Sequence, residues 1–512
     1  MSLGDAQVAL GTAVADILAS MGFKWSSIAP LNIPRAHHAQ VTLAGGQVVA
    51  FGGAGADWSN IWSIEMWDPS ITGNPATTVW IVQPGSLPPM TGPSSSSAGY
   101  DSFTPLLDGT CLITGQGDDG TVNAYIFDPS DGSVTRTGDM NRVRTHSKAV
   151  RLNDGTVAVV GGFSRAAGTY WSEIDLYDPS TKTFTLVGGN GDPDALHGVP
   201  GNIIGRVANA VTLLPSGNLL IVGGGALGGA ANLCQVLDTS TWQASDSIAL
   251  PELRMYPMVT VLPSGLVFVL GGTDLTGTIP LTSALLIDTD ASTYTTAAGQ
   301  LAMARFVGLS FLLDATPAHP EGAVLCMSGT FDDSGDSGTN ELYDIANQTF
   351  TPFPDLPVTF WTAASQLDGT RVLATGGLSN GWGVAADVAL LAPIVVPTAS
   401  DNVQFTPPSD AKWAQVTFKV ANIPPLTLGP GGDDLARGFM QVDLRYPRGT
   451  GTSDARADVD TLRAFFPLGR LNPTYEQSGQ SVYVMPVEPK YFLEDQWYRA
   501  CVQINWEAAI QR

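Results

Sequence analysis

Apolar positions in this chain come in short, dense runs set between turn residues. The run from Leu152 to Gly162, Leu-Asn-Asp-Gly-Thr-Val-Ala-Val-Val-Gly-Gly, is written seven times with variations. The other copies end at Gly52 and Gly53, Gly115 and Gly117, Gly223 and Gly224, Gly271 and Gly272, Ser328 and Gly329, and Gly376 and Gly377. Each copy opens on an Asp-Gly, Ser-Gly or Gly-Gly turn. It continues with four or five mostly apolar, β-branched residues and closes on small residues where the backbone must bend or approach another backbone. The pattern predicts a tight turn feeding a buried strand. Successive copies lie roughly 46 to 63 residues apart, the range in which self-similarity means a propeller or solenoid with one supersecondary unit per repeat.

A further strand in each full unit ends on an aromatic or apolar residue and then Asp-Pro or Asp-Thr, as at Trp67 to Pro69, Phe127 to Pro129, Tyr177 to Pro179 and Leu237 to Thr239. The aspartate and its neighbour make a hairpin turn. A last strand follows, with an aromatic such as Trp80, Phe184, Trp242, Tyr294 or Phe350 placed to wedge between sheets. This grammar resembles the kelch type of β-propeller over roughly residues 24 to 393, and seven copies imply seven four-stranded blades. The seventh unit has no aromatic last strand. Lys24 to Leu31 reads like Thr349 to Leu356, so the first propeller strand is expected to complete the last blade and close the ring.

Both ends of the chain depart from the repeat. From Asp5 to Gly22, Leu10, Val14, Ile17, Leu18 and Met21 fall on one face of a helix, with Asp5 as N-cap and Gly22 as stop. Past Pro397, strands are predicted over Trp413 to Val420, Gly438 to Tyr446, Ser481 to Val487 and Trp497 to Trp506, with a helix from Ser453 to Phe466. The fold class expected is therefore mainly β: a seven-bladed propeller, residues 24–397, inserted into a small α/β domain made of residues 1–23 and 398–512.

That outer domain carries a second resemblance. Asn402 to Thr417, with Phe-Thr-Pro-Pro inside it, then Met440 to Thr452, with Tyr-Pro-Arg-Gly-Thr-Gly-Thr, then a helix, then Gln496 to Ile504, are similar to the small tail terminator proteins of long-tailed bacteriophages. In that family the N-terminal helix runs directly into the segment like Asn402 to Pro408; here some 375 residues intervene. The resemblance implies a structural virion protein, not an enzyme, made in the host cytoplasm and placed in the virion at the head-tail junction. It implies a ring, usually a hexamer, whose partners are further copies of itself, the tail tube protein and a neck or head-completion protein.

Composition narrows the alternatives. The chain of 512 residues carries a formal charge of −23. Residues 398–512 hold 11 Lys and Arg against 13 Asp and Glu, residues 1–23 add two acids, and −19 is left on the propeller. A surface this acidic argues against nucleic acid along the whole chain, and no sequence-specific nucleic-acid partner is expected. The outer domain keeps Arg437, Arg445, Tyr446, Arg448 and Arg456 close in sequence as a candidate ring or tail interface facing an acidic partner or passing DNA. No apolar run has the length of a membrane helix, and no basic and apolar leader opens the chain, so it reads as neither membrane-inserted nor exported.

Catalytic patterns are thin: no phosphate loop, no His-Glu-x-x-His and no nucleophile elbow. Some kelch propellers are radical-copper oxidases, but the histidines, His37, His38, His146, His197 and His319, show no ligand spacing, and His37 and His146 fall where repetition alone puts them. Cys111, Cys234, Cys326 and Cys501 also lack metal spacing, and no cofactor is expected. Acidic loops at Asp57, at Asp118 and Asp119, and at Asp332 to Asp336 lack the full calcium-loop pattern. Loop aromatics Trp58, Trp62, Tyr170, Trp171, Trp361 and Trp382 are candidates for stacking on sugar rings, which makes a free-standing carbohydrate-binding propeller the alternative reading.

Overall fold

The short apolar runs become seven antiparallel sheets among the described residues, arranged as the blades of a propeller; six have four strands, and in the fourth blade two short strands, Gln243–Ala244 and Ile248–Ala249, share the outer edge. The computed structural model describes residues 23–70, 78–88, 102–115, 122–164, 167–188, 205–225, 232–245, 248–274, 279–297, 299–316, 319–329, 340–353, 356, 362–379 and 383–393. Beyond these it describes the strands at 398–400, 413–422, 433–447, 469–470, 482–484, 488–493 and 497–511. The expected helices at 5–22 and 453–466 lie outside the described residues, and all regular structure within them is strand. The chain divides into two compact units, one of Lys24–Ala315 and His319–Ala392, the other of Met1–Phe23, Thr316–Ala318 and Pro393–Arg512.

Each blade follows the repeat. In blade three the innermost strand Lys148–Arg151 pairs with Val157–Val160, the fully buried run, which pairs with Ile174–Asp178 and then Thr183–Val187. The turns between strands are held by aspartates that bond their own chain two residues on. Asp178 Oδ1 accepts from the amide and hydroxyl of Ser180, and Asp68, Asp128 and Asp238 do the same with Ser70, Ser130 and Ser240. The Ser180 and Ser240 hydroxyls hold the Asp178 and Asp238 carboxyls below their ordinary range. Much of the acidity is therefore turn chemistry repeated around the ring.

Blades join through the small-residue pair. At Gly223 and Gly224, φ is +61° and +98°, a bend that side chains rarely adopt. The bend brings the Gly224 N–H within 2.7 Å of the Arg254 carbonyl of the next blade, and a Cβ on Gly223 would sit 2.2 Å from that oxygen. Gly162, Gly272 and Gly377 make the same bond to Arg206, Arg305 and Arg35. Between the sheets, apolar clusters fill the gaps. Phe268 of blade five stacks on Tyr343 of blade six at 4.3 Å, with Phe350 beside both. Cys111, Cys234 and Cys326 are buried in such clusters, where burial pushes their thiols up, Cys234 and Cys326 to about 12.

The arginines at these joints are fully buried, a feature that the hydrophobic pattern does not announce. Arg35, Arg144, Arg206, Arg254 and Arg305 each precede an innermost strand by four residues. Each guanidinium donates to carbonyls of its own blade, including the first small residue of the pair: Gly52, Gly161, Gly223, Gly271 and Ser328. Four also meet a carboxylate: Arg35 with Glu65, Arg144 with Asp175, Arg305 with Glu341 and Arg254 with Glu252. Glu65, Asp175 and Glu341 stand three residues before the turn aspartates Asp68, Asp178 and Asp344. There they also accept backbone N–H groups of the incoming connection: Asn32 and Ile33, Asn141, and Ala302 and Met303. In blade five that position is Leu285, and Glu252 supplies the carboxylate instead. In blade four it is Gln235, whose amide oxygen accepts from Arg206 at 2.7 Å. Burial draws Arg206 down to about 10.

Strand Phe23–Ser27 lies at the outside of blade seven, next to Val388–Pro393, so the first propeller strand completes the last blade. Ile28 and Leu31 extend the joint by donating to Val388 and Ala386. Trp25 is only half buried. The wedge between blades seven and one is made by Leu31, Trp67 and Trp80 against Leu373, Val388 and Leu390. Near the axis the same seam is polar: Gln40 Nε2 donates to Ser365 and to the Leu373 carbonyl, and Thr42 donates to Ser365.

In the second unit the described strands form one sheet in the order Thr398–Ser400, Trp413–Asn422, Asp433–Pro447, Trp497–Gln511, Val482–Val484, Gly469–Arg470, with Glu488–Leu493 also on Trp497–Gln511. Asp433–Pro447 and Trp497–Gln511 pair without a register shift along their whole length, about 50 Å at the usual rise per residue. Alternation along them is two-faced. Met440, Val442, Leu444, Val502, Ile504 and Trp506 share one parity; Gln441, Asp443, Arg445, Gln503 and Asn505 share the other.

The arginine joints set the expectations for stability. Arg144→Ala should cost about 3 to 5 kcal/mol, because it leaves Asp175 buried and unpaired, whereas replacing both by apolar residues of similar volume should cost far less. Gln235→Glu, which gives Arg206 the carboxylate that its counterparts have, should stabilise by about 1 kcal/mol or more. Urea unfolding of the full chain measures both; an unchanged midpoint in Arg144→Ala contradicts the role given to the joint.

Candidate functional site

Two residues past each buried arginine the backbone takes a left-handed turn: φ is +52° at His37, +55° at His146, +57° at Ala208, +51° at Tyr256 and +55° at Val307. Non-glycine residues occupy this region at a cost, and here five equivalent ones are held there by the arginine joint before them and the innermost strand after them. The His146 ring of blade three meets the Tyr256 ring of blade five at 6.5 Å, and Tyr256 lies 6.5 Å from Phe306 of blade six. Rings from blades that are not neighbours meet, so these positions face the propeller axis.

His37 lies 6.2 Å from Trp58, and burial draws its pKa down to about 4. Trp58 stands 47 % exposed in the tight turn Gly55 to Ser59, where it donates to the Gly55 carbonyl and Asp57 accepts from the amide and hydroxyl of Ser59. His38, next in the chain, is buried at the seam with its Nε2 2.8 Å from Thr375 Oγ1. Burial, with Arg35 and His37 adding to it, holds it well below the ordinary histidine range.

The other candidate aromatics have different surroundings. Trp62 packs against the cluster between blades one and two. Tyr170 leans on Phe163 at 4.8 Å. Trp171 donates its Nε1 to the Val143 carbonyl at 2.7 Å and lies under Arg142 at 4.9 Å, with Arg142 paired to Glu173. Trp361 and Trp382 lie outside the described residues, as do the acidic loops at Asp118 and Asp332. Trp58 is thus the described candidate with a large open face.

On the second unit's sheet, Arg437 and Arg445 occupy one parity and Tyr446 the other, so the register does not bring these three onto one face. Arg448 and Arg456 lie outside the described residues. Sequence reasoning passed over Arg499. It pairs in register with Arg445, and the two strand patterns alone do not fix which residues stand opposite.

Residues 385–506 match the family model of the phage tail terminator protein. The match opens at the last propeller strand, Val388–Pro393, and runs through the sheet whose long strands are Asp433–Pro447 and Trp497–Gln511. The terminator match thus covers most of the second unit's sheet. Among solved structures the chain is similar to a fungal alcohol oxidase of the AA5 family in complex with copper, at 14 % identity and a TM-score of 0.52, over 94 % of this chain and 93 % of that one. At that identity the likeness shows a common fold. No curated protein matches the chain.

The copper of that relative sets a test for the residues here. Among the described residues no three His, Cys, Asp or Glu side chains gather to hold a metal ion. His38 is committed to Thr375 at the blade seam, and the described cysteines are protonated in apolar clusters. Among the described residues the donor set does not fit the group.

The histidine environment gives an acid response. His38 is neutral in the fold and takes a proton more readily when unfolded, so its contribution is full above about pH 6.5 and is lost as pH falls below it, by up to about 1.4 kcal/mol per pH unit. The urea midpoint should fall as pH drops below about 6.5, and His38→Gln should flatten that fall. A wild-type midpoint that is level across this window contradicts the buried seam.

Proposed function

We propose that this chain is a structural protein of the tail of a long-tailed phage, a terminator that closes the head-proximal end of the tail tube as a ring, most simply a hexamer, and joins it to the neck. The match of residues 385–506 to the terminator family carries this reading, and the unbroken register of its two longest strands supports a rigid plate suited to ring building. Residues 1–23 and 398–512 form the terminator domain in this reading, and a kelch-type propeller is its insertion. The role is mechanical: the buried arginines and turn aspartates of the propeller described above are spent in joints and turns, and no reaction is assigned to the chain.

A ring needs a heterologous interface that closes on itself. Arg445 and Arg448 bracket the end of Asp433–Pro447, one of the two longest described strands, before Gly449 to Thr452, and are the residues assigned to that interface or to the tail. The propeller has a second, compatible reading as a decoration that binds host-surface carbohydrate. The exposed indole of Trp58 on its tight turn supports that reading, since a rigid aromatic face stacks on sugar rings at small entropic cost.

Sedimentation of the purified protein with and without tail tubes tests the assignment. The wild type should form a ring, alone or on the tube. Reversing Arg445 and Arg448 to Glu should weaken ring formation or docking at least about tenfold while the propeller stays folded, because the two units have separate cores. A wild type that remains monomeric in the presence of tubes removes the terminator reading and leaves the glycan-binding propeller.

A further inference from the structure

The axial mouth of the propeller gathers three features that the blade joints do not use. The first is its rings on left-handed turns, with His146 of blade three exposed and Tyr256 of blade five half-buried beside it. Val307 of blade six, 47 % exposed, adds an apolar surface on that side. The second is Lys148, two residues past His146 and so on the same side of the chain, and the exposed residue of its innermost strand. It makes no ion pair among the described residues, whereas the neighbouring Arg142 and Arg144 are paired with Glu173 and Asp175. The third is Asn209 of blade four, buried, with neither amide atom hydrogen-bonded among the described residues. Its Oδ1 lies 3.0 Å from where a Cβ on Gly161 would stand, and Gly161 follows Val160, the register partner of Lys148. The ammonium and the amide thus belong to one seam, between blades three and four, at its mouth end.

Charge is divided along the axis. The turn aspartates Asp108, Asp154 and Asp368 close the far ends of innermost strands. Asp68, Asp128, Asp178 and Asp238 end the third strands, which run parallel to the innermost ones and so finish on that same side. A four-residue strand is about 13 Å long, more than the roughly 8 Å over which physiological salt screens exposed charge. On the blade-three side, therefore, an acidic propeller presents an unpaired cation beside aromatic and apolar surface.

We propose that the axial mouth binds a carboxylated sugar residue of a polysaccharide, its C–H face on Tyr256 and its carboxylate on Lys148. This deepens the carbohydrate reading of the propeller and rests on it. A simple anion would have no use for the rings, and a neutral sugar none for the lysine. A partnerless buried amide costs stability, and Asn209 offers its donor and acceptor to the sugar's polar edge through a bridging water.

The test uses the full chain and two probes of one shape: a hexamer of α-1,4-linked galacturonate and its methyl ester, which lacks the charge. Saturation-transfer NMR titrations measure both affinities. Wild type should bind the acid at least about tenfold more tightly than the ester, the difference expected of a hydrogen bond to a charged group. Lys148→Met, which keeps the stem, should bring that ratio to within about twofold. Tyr256→Asn should weaken both probes about fivefold, asparagine being tolerated on a left-handed turn. Lys182→Met, on an exposed hairpin at the far end of blade three, should leave both affinities unchanged. Thermal melts check that each variant is folded, and Lys148→Met alone decides if Tyr256→Asn is not. A wild type that binds acid and ester equally, a preference that survives Lys148→Met, or displacement by polyglutamate or an oligonucleotide as strong as by the unlabelled acid overturns the proposal. Neutral oligosaccharides titrated alongside separate the two claims. Sugar binding without acid preference removes this site and leaves the carbohydrate reading, and a wild type that binds no sugar removes both.

Discussion

The propeller depends on one joint, made several times: a buried arginine whose guanidinium gathers the carbonyls of its own blade while its own carbonyl accepts the N–H of the preceding blade's small-residue pair. The joint is both a hydrogen-bond bracket within a blade and a clasp between blades, so it fixes blade spacing and the path of the incoming connection together. A guanidinium has five donors in a rigid plane and cannot shed its charge at any ordinary pH, which suits it to hold several carbonyls at once and makes it costly to leave without an acid. Glu65, Asp175 and Glu341 meet that need and use their remaining lone pairs on backbone N–H groups, so charge and connection are satisfied by the same carboxylate.

Charge in this protein therefore does two structural jobs before it does any functional one. Inside, carboxylates neutralise arginines at the joints; outside, aspartates close the hairpins through local bonds to serine and threonine. Repetition multiplies both, and the strongly acidic propeller follows without any cation or basic partner being needed to explain it. The second unit is nearly balanced and built on a different plan, one long-stranded sheet with an apolar face and a polar face.

Much of this was legible in the sequence. Period and turn chemistry gave the blades, because a four-residue apolar run between Asp-Gly and Gly-Gly has few other uses, and the likeness of Lys24 to Leu31 to an outer strand gave the closure. The arginine joints were harder to see, since a charged residue ordinarily reads as surface. The signal was present all the same: an arginine four residues before the strand in five units, and Glu65, Asp175 or Glu341 three residues before the turn aspartate in three of them. Trp25 is the aromatic of its strand but is only half buried, and Trp67 and Trp80 take the closing place between blades seven and one. In the second unit, strand positions could be read from alternation but their pairing could not, so Arg437, Arg445 and Tyr446 looked like one patch, and Arg499, the residue that stands opposite Arg445, was invisible until the register was known.

The central claim is that a self-contained propeller is inserted between two parts of one terminator domain. Excision tests it most directly: residue 22 is joined to residue 400 through a short flexible linker, and the product is compared with residues 398–512 alone. The account predicts that the joined protein is soluble and unfolds cooperatively, and that residues 398–512 alone aggregate because the apolar face of the sheet lacks its cover. An insoluble joined protein beside a well-folded 398–512 would contradict it.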